Sequence, residues 1–170
     1  MKRNVLSFTV LLICIQGFSQ LNRIVFDEKK NAEILFGEFT IDFIATSEYN
    51  EWFAPEYNSY QVKKEVFTPD LRVAFDSIYI FAASWCSDTR RELPRFCKII
   101  DEIDIFDETK LRFIAVDSNK KTDILETEDF YLQFVPTFIF YFHGEELCRI
   151  VEEPRESLEE DMVDLLKRIQ

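Results

Sequence analysis

Cys86 follows Trp85 and the apolar run Ile78-Tyr79-Ile80-Phe81-Ala82-Ala83, and it opens the tetrad Cys86-Ser87-Asp88-Thr89. The run predicts a buried strand and the amphipathic stretch after it a helix, so the thiol falls where one hands over to the other. A cysteine there meets unpaired backbone N–H groups and the positive end of the helix dipole, and both favour thiolate over thiol. The chemistry open to such a site is disulfide exchange, in which a thiolate attacks a disulfide sulfur. Arg90 and Arg91 in the first turn add to the positive field, while Asp88 opposes it. Where a Cys-x-x-Cys site carries its second thiol stands Thr89. Its hydroxyl is a candidate donor to the thiolate; its plainer role is that of a helix-turn residue.

The elements that must hold this thiol follow from periodicity. Strands are predicted over 77–84, 111–116, 137–142 and 146–151, with a helix over 87–106 kinked at Pro94 and a helical or irregular crossover reaching Phe134. A last helix starts at a capping box formed by Ser157 and Glu160, with Leu158, Met162, Leu165, Leu166 and Ile169 as its apolar stripe. Strands alternating with helices, then a hairpin and a helix, predict an α/β fold with a central mixed β-sheet covered by helices on both faces. Ahead of it, Ala54-Pro55 is expected to open a helix with proline in its first turn, running through Tyr57, Tyr60, Val62, Val66 and Phe67. Trp52, Phe53, Tyr57 and Tyr60 are expected to pack into the core, the alternative being a lid near the thiol.

Trp85-Cys86-x-x-Thr89 resembles the active-site segment of the thioredoxin superfamily. Pro94, eight residues after Cys86, matches the proline that kinks the family's active-site helix. Val135-Pro136-Thr137 is similar to its cis-proline loop, with the apolar strand Phe138-Ile139-Phe140-Tyr141-Phe142 behind it, and His143-Gly144-Glu145-Glu146 resembles the turn into the last strand. The resemblance implies a thioredoxin-like domain over 69–170, with 20–68 as an N-terminal extension packed on it. It also implies that Cys86 is the nucleophile, that Thr89 assists it, and that Trp85, Ser87, Asp88, Val135, Pro136 and Thr137 bind substrate. A cis peptide before Pro136 would face the sulfur and present backbone groups to an extended substrate segment. The second cysteine is absent, and the buried acid that the family carries six residues before the first is here Ile80. A lone thiolate forms a mixed disulfide that another thiol must resolve. The implied partners are protein substrates and an external thiol or redox partner protein. A thioredoxin-like module that has lost catalysis and holds extended peptides in the same groove stays open beside this.

With 170 residues and 47% hydrophobic content the chain can bury one good core. Residues 1–19 read as a signal peptide: Lys2 and Arg3, a mostly apolar Val5 to Ile15, and the small-x-small Gly17-Phe18-Ser19. The apolar stretch falls short of the roughly 18 to 20 residues of a spanning helix, so no stable membrane insertion is expected after cleavage. Leu11-Leu12-Ile13-Cys14 leaves lipidation at Cys14 as an alternative. Export places the chain in an oxidising, extracytoplasmic compartment, most simply a periplasm. Cys97 lies eleven residues beyond Cys86 on one helix, a rise of roughly 16 Å, whereas a disulfide tolerates Cα atoms up to about 7 Å apart. Cys97 and Cys148 are expected to be buried hydrophobes, a bridge between them remaining open. The formal charge of −12, more negative by two once Lys2 and Arg3 leave, argues against nucleic acid and anionic lipid as partners. With His143 the single histidine, no Cys-x-x-Cys and no glycine-rich phosphate loop, neither a metal nor a cofactor is expected.

Overall fold

The computed structural model describes residues 21–68, 75–106 and 109–168. The expected signal peptide, Cys14, the passage at Pro69-Asp70 and Ile169 lie outside the described residues. Six strands, β1 (Arg23–Asp27), β2 (Ala32–Phe39), β3 (Ser77–Ala82), β4 (Lys110–Ala115), β5 (Thr137–Phe142) and β6 (Glu145–Val151), form a sheet in the order β1-β2-β4-β3-β5-β6. β3 and β4 are parallel and every other neighbouring pair is antiparallel. The helices are α1 (Ile41–Thr46), α2 (Asn50–Ser59), α3 (Ser87–Glu102) and α4 (Leu158–Arg168).

Alternation along the strands makes two faces. Ile78, Ile80, Ala82, Phe138 and Phe140 point into a core shared with all four α-helices. Phe81, Ile114 and Ile139 point the other way, against the crossover between β4 and β5. That crossover carries a 3₁₀ turn, Thr127–Phe130, whose Phe130 ring lies 5.0 Å from Phe81 and 6.0 Å from Tyr79. α3 is shorter than the sequence predicts. Ile103 turns extended, and a 3₁₀ turn at Asp104–Phe106 brings the Phe106 ring to 5.8 Å from Phe75 and 6.0 Å from Phe67, burying an aromatic that a straight helix would carry onward. At α4 the capping box forms, with Ser157 Oγ donating to Glu160 Oε2 at 2.8 Å and accepting from Glu160 N at 3.3 Å.

Residues 23–39 enter the sheet as the β1–β2 hairpin, which the sequence reading did not predict. Its turn closes with Asn31 at φ 50°, a left-handed conformation that asparagine tolerates. β2 divides at Gly37, which sits at φ 83°: Ala32–Phe36 pair with β1, and only Gly37–Phe39 pair with β4. The hairpin therefore runs on past the C-terminal end of β4. α2 starts at Asn50, earlier than expected, because i+3 bonds from Asn50 N to Ser47 O (3.1 Å) and Glu51 N to Glu48 O (3.2 Å) nucleate it. Pro55 thus sits inside the helix rather than opening it. Phe53 is buried, and Tyr57 stacks on it at 5.7 Å.

Asp27 ties the hairpin turn to the loop after β4. Its carboxylate accepts from Ser118 N (2.8 Å), Ser118 Oγ (3.0 Å) and Lys30 N (2.9 Å). These donors, Ser118 N foremost, lower its pKa from 3.8 to about 2. A lowered folded-state pKa means the clamp contributes stability above the unfolded value and loses it as pH falls through the folded one. Hydrogen-exchange protection of the Ser118 and Lys30 amides, corrected for intrinsic rate, is expected to fall as pH drops from about 4 to about 2. Asp27→Ala should remove the protection at every pH. Protection that persists in that variant would show that the carboxylate is not what holds the turn.

Candidate active site

β3 ends at Ala82, and four residues later Cys86 is the N-cap of α3, with φ −90° and ψ 128°. Cys86 N donates to Ala83 O at 2.9 Å, and its carbonyl accepts from Arg90 N at 3.1 Å, the first bond of the helix. Side chains fix the turn from several directions. Ser84 Oγ, buried, accepts from Leu35 N of β2 at 3.0 Å. Arg90 Nε donates to Ser84 O at 2.7 Å, and Trp85 Nε1 donates to Val116 O at 3.3 Å. Thr89 Oγ1 accepts from Ala83 N at 3.2 Å. The hydroxyl expected to face the sulfur is thus turned onto the backbone of the turn and makes no hydrogen bond with Cys86 Sγ among the described residues. The cause is burial: Thr89 is 1% exposed, and Ala83 N–H needs an acceptor there.

Cys86 is half-buried, and its thiol donates to Val135 O at 3.2 Å. The Val135-Pro136 peptide is cis. The side chains of Val135, Pro136 and Thr137, expected to line a docking surface, are buried instead. Thr137 Oγ1 donates to Phe134 O at 2.7 Å, and Pro136 O accepts from Glu152 N at 2.7 Å, which draws the loop down onto the sheet. What the loop offers beside the sulfur is backbone: no described group accepts from Val135 N–H. Trp85 is half-buried and Ser87 exposed. Phe134, which the sequence reading passed over, stands 48% exposed next to Val135.

The charges around the helix start are more paired than the sequence implied. Arg91 contacts Asp88 (3.2 Å), Glu92 (2.6 Å) and Glu153 (2.7 Å), and Glu92 foremost raises its pKa. Asp88 and Arg91 thereby offset each other's field at Cys86. Glu92, 2% exposed, also contacts Arg95 at 3.3 Å. Its burial had a sequence signal, since it lies three residues after Thr89 and four before Phe96, on the face that α3 turns inward. Cys97 is buried, and burial pushes its thiol well up. Cys148 sits in β6 opposite Phe140, and the three described cysteines form no disulfide with one another. No three His, Cys, Asp or Glu side chains among the described residues come together as a metal-binding group.

No protein-family model and no curated protein sequence matches the chain. Among solved structures it is similar to a protein of unknown function from Pseudomonas aeruginosa, at 17% identity and a TM-score of 0.56, over 78% of this chain and 92% of that one. Reduced thioredoxin 2 from the same organism aligns at 21% identity and a TM-score of 0.42, over 64% of this chain and 92% of that one. Oxidised mitochondrial thioredoxin 3 from Saccharomyces cerevisiae aligns at 21% identity and 0.40, over 64% and 98%. The fold is α/β, with the central mixed sheet that the sequence predicts, and the likeness at a TM-score of 0.56 is one of fold. Among the described residues no helix is long and apolar enough to cross a membrane.

Proposed function

We propose that Cys86 performs single-thiol disulfide exchange with protein substrates in an extracytoplasmic compartment, most simply a periplasm. One observation carries this reading. The half-buried sulfur at the N-cap of α3 lies 3.2 Å from Val135 O, so a nucleophile and a backbone edge with an unclaimed N–H meet at one place. Cys86 releases its proton to water, gives up the bond to Val135 O, and attacks one sulfur of a partner disulfide. The partner S–S bond breaks as the Cys86–partner bond forms, and the other sulfur leaves as a thiolate that takes up a proton. Disulfides are exchanged with no net oxidation. An external thiol, small or borne on a redox partner protein, then attacks the mixed disulfide and returns Cys86 to the thiol. Thr89 acts as a positioning residue by holding Ala83 N–H, and Trp85, Ser87 and Phe134 border the sulfur's approach.

A second reading, a peptide-binding module without turnover, draws on one feature: the Thr89 hydroxyl faces Ala83 and not the sulfur. Envelope extracts of a strain carrying the tagged protein, run on non-reducing gels, separate the two. Wild-type protein is expected to show partner adducts without any trapping mutation, because no neighbouring thiol displaces the partner. The adducts should vanish in Cys86→Ala and persist in Cys97→Ala and Cys148→Ala. Their absence from the wild type under mildly oxidising conditions would favour the binding module. The N-terminal residue of the mature protein, expected to be Gln20, tests the export part of the reading.

A further inference from the structure

The chain carries 32 acidic against 20 basic side chains, so a surface cation readily finds a carboxylate. Lys63, Lys64, Arg112, Arg149 and Arg155 each do so. At the Cys86 end of the sheet three exposed cations do not. Lys29, Lys30 and Arg90 pair with no described carboxylate. Lys30 Nζ stands 3.9 Å from the centroid of the Trp85 ring, on the residue next to the thiol. Lys29 Nζ donates to Asn119 Oδ1, and Arg90 Nε to Ser84 O.

Their placement follows from the fold. Because β2 pairs with β4 only through Gly37–Phe39, the hairpin projects past β4 and carries Lys29 and Lys30 to the turn that holds Cys86. Asp27 and Ser118 anchor it there. Of the nearby carboxylates, Asp27 accepts from Ser118 and Lys30 N, Asp117 accepts from Asn119 N and Lys121 N, and Asp88 pairs with Arg91, while Glu33 of β2 is exposed. Glu28, on the same turn, is exposed. Oxygens of Asp27, Asp117 and Asp88 already accept from the protein, whereas the ammonium over the indole keeps N–H donors for an incoming group. A cation held at an aromatic face is attracted by the ring and stays available to a partner anion.

We propose that Lys30, supported by Lys29 and Arg90, selects partners that carry acidic side chains next to the exchanging cysteine. This rests on the disulfide-exchange reading of Cys86. The test uses three synthetic peptides identical except for Asp, Ser or Lys on both sides of one cysteine, each supplied as the mixed disulfide with pyridine-2-thiol. Release of the thione is followed for wild type, Lys30→Glu, Lys30→Arg and Lys110→Glu, the last making the same charge change at the far end of β4. Wild type is expected to react roughly tenfold faster with the Asp peptide than with the Lys peptide at low ionic strength, the ratio shrinking as salt is added. Lys30→Arg and Lys110→Glu should keep that order and Lys30→Glu should abolish or invert it. Equal rates for the three peptides, or an order that survives Lys30→Glu, would overturn the proposal. Exchange with neutral hydroxyethyl disulfide tests the underlying reading separately: if it proceeds while the peptides show no ranking, only the charge selection fails. If Cys86 does not exchange at all, the same peptides as free thiols are titrated against Cys86→Ser by tryptophan fluorescence. Tighter binding of the Asp peptide, lost in Lys30→Glu, supports the selection, and equal binding rejects it.

Discussion

Thr89→Cys is expected to form an intramolecular disulfide with Cys86 and to raise turnover on a model disulfide substrate about tenfold in the presence of an external reductant, because a tethered thiol attacks at high effective concentration. Positions three apart on a helix bring Cβ atoms to about 5–6 Å, and a disulfide needs about 3.5–4.5 Å, so only a small adjustment is required. Cys86 can supply it, since as N-cap it lies outside the regular helix. The substitution also removes the acceptor of Ala83 N–H, a loss of about 1–3 kcal/mol for an unsatisfied buried donor. Thr89→Ser keeps the acceptor without adding a thiol and is the matched control. The gain should stay below that of a dithiol site with a buried base, because Ile80, fully buried, offers no carboxylate to take the new thiol's proton. Adding Ile80→Asp should recover some of the rate and cost several kcal/mol of stability. Thiol counting by mass spectrometry and stopped-flow turnover check both parts. A folded variant in which the thiols at positions 86 and 89 both stay reduced after mild oxidation would place Cys86 elsewhere than at the start of α3.

The second large effect concerns stability. Glu92 is buried against Arg91 and Arg95, and one of its oxygens, Oε2, has no hydrogen-bond partner. Removing both cations strands a buried carboxylate, and Arg91→Ala with Arg95→Ala is expected to lose about 3–5 kcal/mol in urea unfolding. Glu92→Leu should lose no more than about 1 kcal/mol, since the arginine side chains, 34% and 28% exposed, can turn to water and the orphaned oxygen disappears with the acid. The triple variant isolates the electrostatic part. It should regain most of what the double arginine variant loses, leaving missing the Arg95–Glu56 pair, the packing of Arg95 over Tyr60, and the half-exposed contacts of Arg91 with Asp88 and Glu153. A triple variant no more stable than the double would mean that the buried charge is not the cause.

Much of this molecule was legible in local pattern. β3, β4 and β5 could be read because each carries an apolar run covered on both faces, β6 because it follows β5 across a tight turn at His143-Gly144, and α4 because Ser157 and Glu160 mark its start with reciprocal bonds that need only four residues. The β1–β2 hairpin escaped because its outer strand leaves Ile24 and Phe26 exposed, so hydrophobicity does not report which side faces the core. Its turn did carry a signal in Asn31, which holds a conformation few other residues accept.

The position of Cys86 at the head of a helix, its distance from Cys97 along one axis, and the proline loop some fifty residues on are consequences of local propensity and spacing, and the sequence alone determined them. What each neighbour does at the sulfur was decided by packing. Thr89 turns its hydroxyl to Ala83 because the turn buries an N–H that must be satisfied. Val135, Pro136 and Thr137 face inward because the loop is drawn onto the sheet by Glu152 N and Phe134 O. Lys30 reaches Trp85 only because β2 leaves β4 at Gly37 and carries the hairpin across a gap of more than fifty residues in sequence. Burial and hydrogen-bond satisfaction depend on atoms from every element that meets at a point, and no window of sequence contains them all.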